Sequence, residues 1–270
     1  MSAPVLLRTP ARLAFNGASG RVGRLLRAVI PDAVWTSQAD GWAPAKGARA
    51  LICLGGVTLG DTTALRANST AALNALDAAA RLSVPRVFLL SSAAVYGRAR
   101  GPLLASDAPT PAAPYGVAKA EMESAVHTWR ATHPNGPEAT ILRLGNVLGA
   151  DQLIGNMTQA RPVSLHIFQD GTCPRRSYIG PATLGRVLQE LAAMPNVPPV
   201  LNVAAPGTVS MADLVRAAGG TYTPHPAPDS AIATVELDVA PLAARVPFAT
   251  EESQAEGMVA QWRRIVGAVA

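Results

Sequence analysis

Short apolar runs alternate with stretches of helical period from the start of the chain. "RLAFNGASG" (12–20) reads as a strand running into glycines, and "GRVGRLLRAV" (20–29) as a helix with Val22, Leu25, Leu26 and Val29 on one face. "AVWTSQ" (33–38) predicts a second strand and "ARALICLGG" (48–56) a buried third. "TTALRANSTAALNALDAAARL" (62–82) predicts a long helix, followed by the strand "RVFLLSS" (86–92). A helix is expected from Tyr115 to about Ala131, then a strand in "EATILRLGNVLG" (138–149). Such a βαβα order predicts an α/β fold, a Rossmann-type doubly wound parallel sheet with helices on both faces.

Past about residue 150 the rhythm weakens. "PATLGRVLQELAAM" and "SMADLVRAAG" read as helices around the strand "PVLNVAAP", "GGTYTPHPAPDS" reads as a loop, and "EESQAEGMVAQWRRIVGAV" as a last amphipathic helix. The expected division is a nucleotide-binding domain over 1–150, which also receives later segments at about 178–210, and a small C-terminal cap from discontinuous pieces of 151–270. The 270 residues are enough for one large core. With 49% apolar residues but only 4% aromatic, that core must rest on Ala, Val and Leu.

Charge and cysteine content narrow the function classes. The net charge is +5, from scattered arginines without a basic run or interleaved aromatics, so neither nucleic acid nor a membrane surface is expected as a partner. Capture of an anionic cofactor or substrate fits better. Cys53 and Cys173 fit no disulfide framework or metal spacing, and the four histidines are isolated, so no metal is expected. No leader-like opening or run of about 18 apolar residues is present, and a cytoplasmic setting is expected.

In "NGASGRVGR", Gly17, Gly20 and Gly23 follow a strand and open a helix. There they allow a tight turn and close backbone approach, so a pyrophosphate can accept N–H bonds at a positive helix end. The end of the second strand offers Ser37 and Gln38 but no acid for a ribose hydroxyl; Asp40 lies just beyond and fits a turn. A missing acid removes repulsion against a 2′-phosphate, so between NAD and NADP the reading leans slightly to NADP. "LLSSAAVYG" places Ser91 and Ser92 at a strand's carboxyl end and Tyr96 just after it, although a serine there commonly only shapes a turn.

In "PAAPYGVAKAEMES", Tyr115 precedes Lys119 by four residues, which puts both on one helix face. A phenol near pKa 10 is a poor base at neutral pH, and a neighbouring ammonium favours the phenolate. Alone the pair is commonplace; it gains meaning from the glycines and from Ser92, 23 residues upstream. Glu121 and Glu123 read as first-turn acids suited to a helix N-terminus.

Together "GASGRVG", "LGG" (54–56), Asn68, "SSAAVYG", "YGVAKAEME", "ILRLGNVLG" and "GTCPRRSYIG" resemble, in order, the extended short-chain dehydrogenase/reductase family, in its nucleotide-sugar epimerase/dehydratase branch. The resemblance implies that Tyr115 is the general acid/base, Lys119 its pKa-lowering and ribose-binding partner, and Ser92 the residue that holds the reacting oxygen. It implies cofactor contacts from Gly17, Ser19, Gly20, Arg21, Val22, Gly23, Ser37, Leu54, Gly55, Gly56 and Asn68, and substrate contacts from Asn146 and Arg176. It also implies a homodimer paired through the helices at about 64–82 and 115–131.

Several departures are visible. The segment between strands two and three is short, the cap is reduced, and "IGPAT" stands where relatives carry a His-Val-Asp-Asp-like sequence. Ala93 and Ala94 occupy the positions where a 4,6-dehydratase carries an Asp–Glu pair, which disfavours dehydration. The expected function is an NAD(P)-dependent oxidoreductase or epimerase acting on a hydroxyl–carbonyl pair of a small molecule, foremost a nucleotide-sugar. The alternatives are an NADPH-dependent reductase of a small non-nucleotide carbonyl compound and, from another class, a non-catalytic NAD(P)-binding redox sensor.

Overall fold

The computed structural model describes residues 12–37, 39–158 and 162–269. The first half runs β1 (Leu13–Phe15), α1 (Arg21–Val29), β2 (Val34–Trp35), β3 (Ala50–Cys53), α2 (Thr62–Leu82), β4 (Arg86–Ser92), β5 (Pro102–Leu103), α3 (Pro114–Thr132) and β6 (Glu138–Leu144). The rest comprises β7 (Asn146–Val147), α4 (Gln152–Thr158), β8 (Ser164–Ile167), β9 (Arg175–Arg176), β10 (Tyr178–Ile179), α5 (Pro181–Ala193), β11 (Val200–Val203), β12 (Val209–Ser210), α6 (Met211–Ala217), β13 (Thr223–Pro226), β14 (Thr234–Leu237), α7 (Ala240–Ala243) and α8 (Ala255–Val269).

Six strands form one parallel sheet in the order β11-β6-β4-β3-β1-β2. Its inner strands are apolar on both faces because helices cover both sides. Over β3 all four residues are buried, and over β4 six of seven. Helices α1, α5 and α8 pack together around one core, in which Leu25 and Leu26 are buried and Val22 and Val29 partly so. On the opposite face α2 packs against α3 over Leu76, Leu89, Met122 and Ile141. Cys53 belongs to that second core, and a third cluster lies among α4, α6 and α8. The order in which strands are added reverses between β1 and β3, so the carboxyl ends of those parallel strands open a crevice suited to a ligand.

Three local readings need correction. The second strand is only Val34–Trp35; Thr36 still donates to Phe15 O through its N–H (2.8 Å), and Ser37 and Asp40 then close a turn (Oγ to Oδ2, 2.5 Å). Gln38 lies outside the described residues. "GGTYTPHPAPDS" is not all loop, since β13 pairs with β8. Thr223 and Ala227 donate to Val163 O and Ile167 O, while Pro224 and Pro226 fall at alternate positions where no donor is required. Finally, Glu121 and Glu123 are not in the first turn of α3, which begins at Pro114 and has no acid there. Glu123 is buried.

Candidate active site

The turn after β1 is built on close backbone contact. Gly17 adopts φ +74°, and any side chain at Gly23 would strike the carbonyl of Gly17. Helix α1 therefore begins directly against the loop, with Gly20 as its N-cap. The loop after β3 crosses beside it, where Asn16 Oδ1 accepts from the N–H of Gly55 (2.9 Å).

These two loops and one face of α2 enclose a cleft of about 1000 Å³. Gly17, Ser19, Gly20, Ser37, Leu54, Gly55 and Gly56, all named from the sequence, line it. Thr63, Arg66, Thr70, Asn74 and Arg81 of α2 line it too, as do Gly41 and Trp42 from the short segment after β2. The α2 residues were missed in the sequence, although their spacing of three to four marked a polar stripe on an otherwise apolar helix.

At the inner end of the cleft, Gly56, Asn68 and Lys119 converge. A methyl group at Gly56 would fall 2.6 Å from Asn68 Oδ1 and 3.1 Å from Lys119 Nζ. Asn68 donates to Val57 O (3.1 Å) and Leu65 O (2.8 Å), yet its buried Oδ1 has no partner. A glycine-lined crevice, two cleft-lining arginines and an unsatisfied amide oxygen suit an anionic dinucleotide with free hydroxyls.

Ser92, Tyr115 and Lys119 come together at the same end. Gly116 makes this possible, because a side chain there would collide with the carbonyl of Ala94. The start of α3 thus lies against the turn after β4. Ser92 accepts from Ala94 N (3.2 Å), and its hydrogen bonding to Tyr115 favours the phenolate. Lys119 is buried, donates to Leu90 O (2.7 Å) and has its Nζ 6.0 Å from the centre of the Tyr115 ring.

Burial dominates the electrostatics here. It raises the Tyr115 phenol above its ordinary value, against the opposing effects of Ser92 and the Arg21 cation. It lowers the Lys119 ammonium to about 8, although the Cys53 and Glu123 charges oppose this. The exposed Arg21 cation adds to the surroundings of Tyr115, beside Lys119, whose Nζ lies over the Tyr115 ring.

Behind Ser92 a buried network fixes the strand end. Glu123 Oε1 accepts from Ser91 Oγ (2.5 Å), and Arg143 bonds both oxygens of Glu123. Arg143 Nη1 also donates to Tyr96 Oη (3.1 Å), which donates to Asn202 Oδ1 (2.6 Å). Tyr96 and Ser91 therefore serve as framework.

Of the expected substrate residues, Asn146 pairs in register with Tyr178 across β7 and β10. Arg176 turns its Nη atoms to the carbonyls of Arg175, Ile232 and Ala233. Among the described residues no three His, Cys, Asp or Glu gather as a metal site, and no helix is long and apolar enough to cross a membrane.

Comparison with known proteins agrees with this architecture. The model of the NAD dependent epimerase/dehydratase family matches residues 52–177. A UDP-glucose 4-epimerase of Azospirillum brasilense is 38% identical over 105 residues, 38% of this chain and 29% of that protein; the match thus spans less than a third of that relative. Among solved structures, UDP-glucuronic acid 4-epimerase from Bacillus cereus in complex with UDP-glucuronic acid and NAD aligns with a TM-score of 0.73 at 18% identity, over 95% of this chain and 99% of that one. UDP-glucose 4-epimerase from Thermotoga maritima with UDP-glucose aligns with a TM-score of 0.72 at 17% identity, over 94% and 99%. At these identities the likeness to solved structures is one of fold. The family is described by NAD, and NAD accompanies the Bacillus cereus enzyme, so the lean toward NADP has no support. Residues 52–177, a little under half of the chain, are thus similar to the NAD dependent epimerase/dehydratase family.

Proposed function

We propose that the protein is an NAD-dependent epimerase or oxidoreductase acting on a hydroxyl–carbonyl pair of a nucleotide-sugar. The observation that carries this reading is the convergence of Ser92, Tyr115 and Lys119, with Lys119 Nζ beside Gly56, which lines the glycine-rich cleft. NAD, when bound, supplies the hydride acceptor and donor. Gly17, Gly20 and Gly23 would hold its pyrophosphate, and Asn68 and Lys119 would face its ribose at Gly56. Tyr115 Oη exchanges the proton of the substrate hydroxyl, and Ser92 Oγ holds the same oxygen in place. Arg21 and Ser92 offset part of the burial that keeps the phenol protonated. Ala93 and Ala94 offer no carboxylate for a dehydration step.

A second reading, reduction of a small non-nucleotide carbonyl compound, is favoured by Arg176, whose Nη1 makes two bonds and Nη2 one to backbone carbonyls, which holds the side chain against the protein. We further propose the division into a nucleotide-binding domain (1–150, with about 178–210) and a cap, pairing of two copies through α2 and α3, and a cytoplasmic setting.

The test is mass spectrometry of nucleotide released from the purified, denatured protein, followed by incubation with UDP-glucose and UDP-galactose. Retained NAD with interconversion of the two sugars supports the epimerase. An empty protein that turns over small carbonyl compounds with NADPH supports the second reading. Failure to bind either NADH or NADPH in a fluorescence titration overturns both.

A further inference from the structure

Two histidines that are isolated in the sequence become neighbours in the fold. β8 and β13 form a two-stranded parallel ribbon in which His166 is the register partner of His225. Register partners in a parallel pair share one face, and adjacent strands run about 4.8 Å apart. That face is the outer one. Leu165 is buried in the third core cluster, so alternation along β8 turns His166 the other way, and both histidines are exposed. Among the described residues, neither imidazole has a hydrogen bond, ion pair or ring contact. The remaining two histidines are placed differently: His133 stacks on Trp129 with its Nδ1 2.9 Å from Trp129 O, and His127 stands on α3.

The backbone holds this pair in place. His225 sits between Pro224 and Pro226; proline fixes its own φ, and a residue before proline is confined to extended conformations. On either side Thr223 and Ala227 donate to Val163 O and Ile167 O, so only side-chain rotations are left to bring the rings together. Neither strand carries a lysine or arginine to repel a cation, and neither carries a carboxylate. At about 2.0–2.1 Å per bond, two imidazole nitrogens roughly 3.3 Å apart share one metal ion, a separation within reach of side chains on adjacent strands. We propose that His166 and His225 bind one divalent cation of the Zn²⁺, Ni²⁺ and Cu²⁺ class, with water in its remaining positions. Imidazole suits these ions, whereas Mg²⁺ and Ca²⁺ require oxygen ligands that the ribbon does not offer. The bound ion bridges β8 to β13. The site shares no residue with the Ser92, Tyr115 and Lys119 cluster or with the cleft lining, and it stands independently of the nucleotide-sugar reading.

The test is calorimetric titration of nickel chloride into the untagged full chain, freed of metal with a chelator, alongside His166→Ala, His225→Ala and His127→Ala. The parent should bind one Ni²⁺ per chain. His166→Ala and His225→Ala should each weaken that binding at least tenfold, and His127→Ala should leave it unchanged. Because both histidines are exposed, the metal-free variants should melt at the parent's temperature. Saturating Ni²⁺ should raise the melting temperature of the parent but not of His166→Ala or His225→Ala.

A parent that binds no Ni²⁺ overturns the site, and so does parent-like binding in either His166→Ala or His225→Ala. An equal loss in His127→Ala would overturn it as well, showing coordination scattered over surface histidines.

Discussion

Arg143 of β6 and Glu123 of α3 meet inside the protein as an ion pair. Nη2 lies 2.8 Å from Oε2, Nε lies 3.2 Å from each carboxylate oxygen, and the two side chains are only 4% and 2% exposed. This pair ties the helix that carries Tyr115 and Lys119 to the strand beside Ser92, so the geometry of the triad depends on it.

Glu123→Gln should destabilise the protein by roughly 3–5 kcal/mol, because it leaves the Arg143 charge buried without its counterpart. Replacing both residues with leucine should cost much less, since no buried charge then remains. Urea midpoints of the single and double variants check this. Equal losses would mean that the pair's charge is not what matters.

Lys119 should carry a stability cost that depends on pH. Burial lowers its pKa from 10.5 to about 8, so between those values the unfolded chain holds a proton that the folded chain has lost. The contribution is therefore most unfavourable below about pH 8 and relaxes as pH rises toward 10.5. Lys119→Met should be more stable than the parent at pH 7, by about 3 kcal/mol at most, with the lost bond to Leu90 O reducing the gain. The difference should shrink above pH 8, while turnover is lost throughout. Thermal melts of both proteins across pH 7–10 provide the measurement.

Tyr115→Phe should lower turnover by roughly 10²–10⁴-fold with little effect on NAD affinity, because it removes the exchangeable proton and leaves the cleft's shape. Ser92→Ala should lower it less. Steady-state rates with UDP-glucose decide the point; intact turnover in Tyr115→Phe would exclude the tyrosine as acid or base.

Gly23→Ala should weaken NAD binding more than tenfold, since the new methyl group meets the carbonyl of Gly17 and pushes α1 away from the loop. Gly267→Ala is the contrast. It lies within α8 with open space around it, and should stabilise by about 0.5–1 kcal/mol without touching affinity. Fluorescence titration with NADH reads the first effect and thermal melts read the second.

The sequence by itself determined the elements and their layering. Doubly buried strands such as "RVFLLSS" read as continuous apolar runs, and amphipathic helices as 3.6-residue stripes; both are local signals, and their alternation leaves little choice but a parallel sheet. The glycine turn, Ser92, Tyr115 and Lys119 were legible because each combines a residue type with a fixed place at a strand end or helix start. Tertiary structure alone decided what those residues experience. Only packing reveals that Glu123 turns inward to Arg143, that burial raises the Tyr115 phenol while the Arg21 cation opposes it, or that Arg176 is held by the carbonyls of Ile232 and Ala233. Periodicity records which way a side chain faces; burial and partners depend on what the rest of the fold places in front of it.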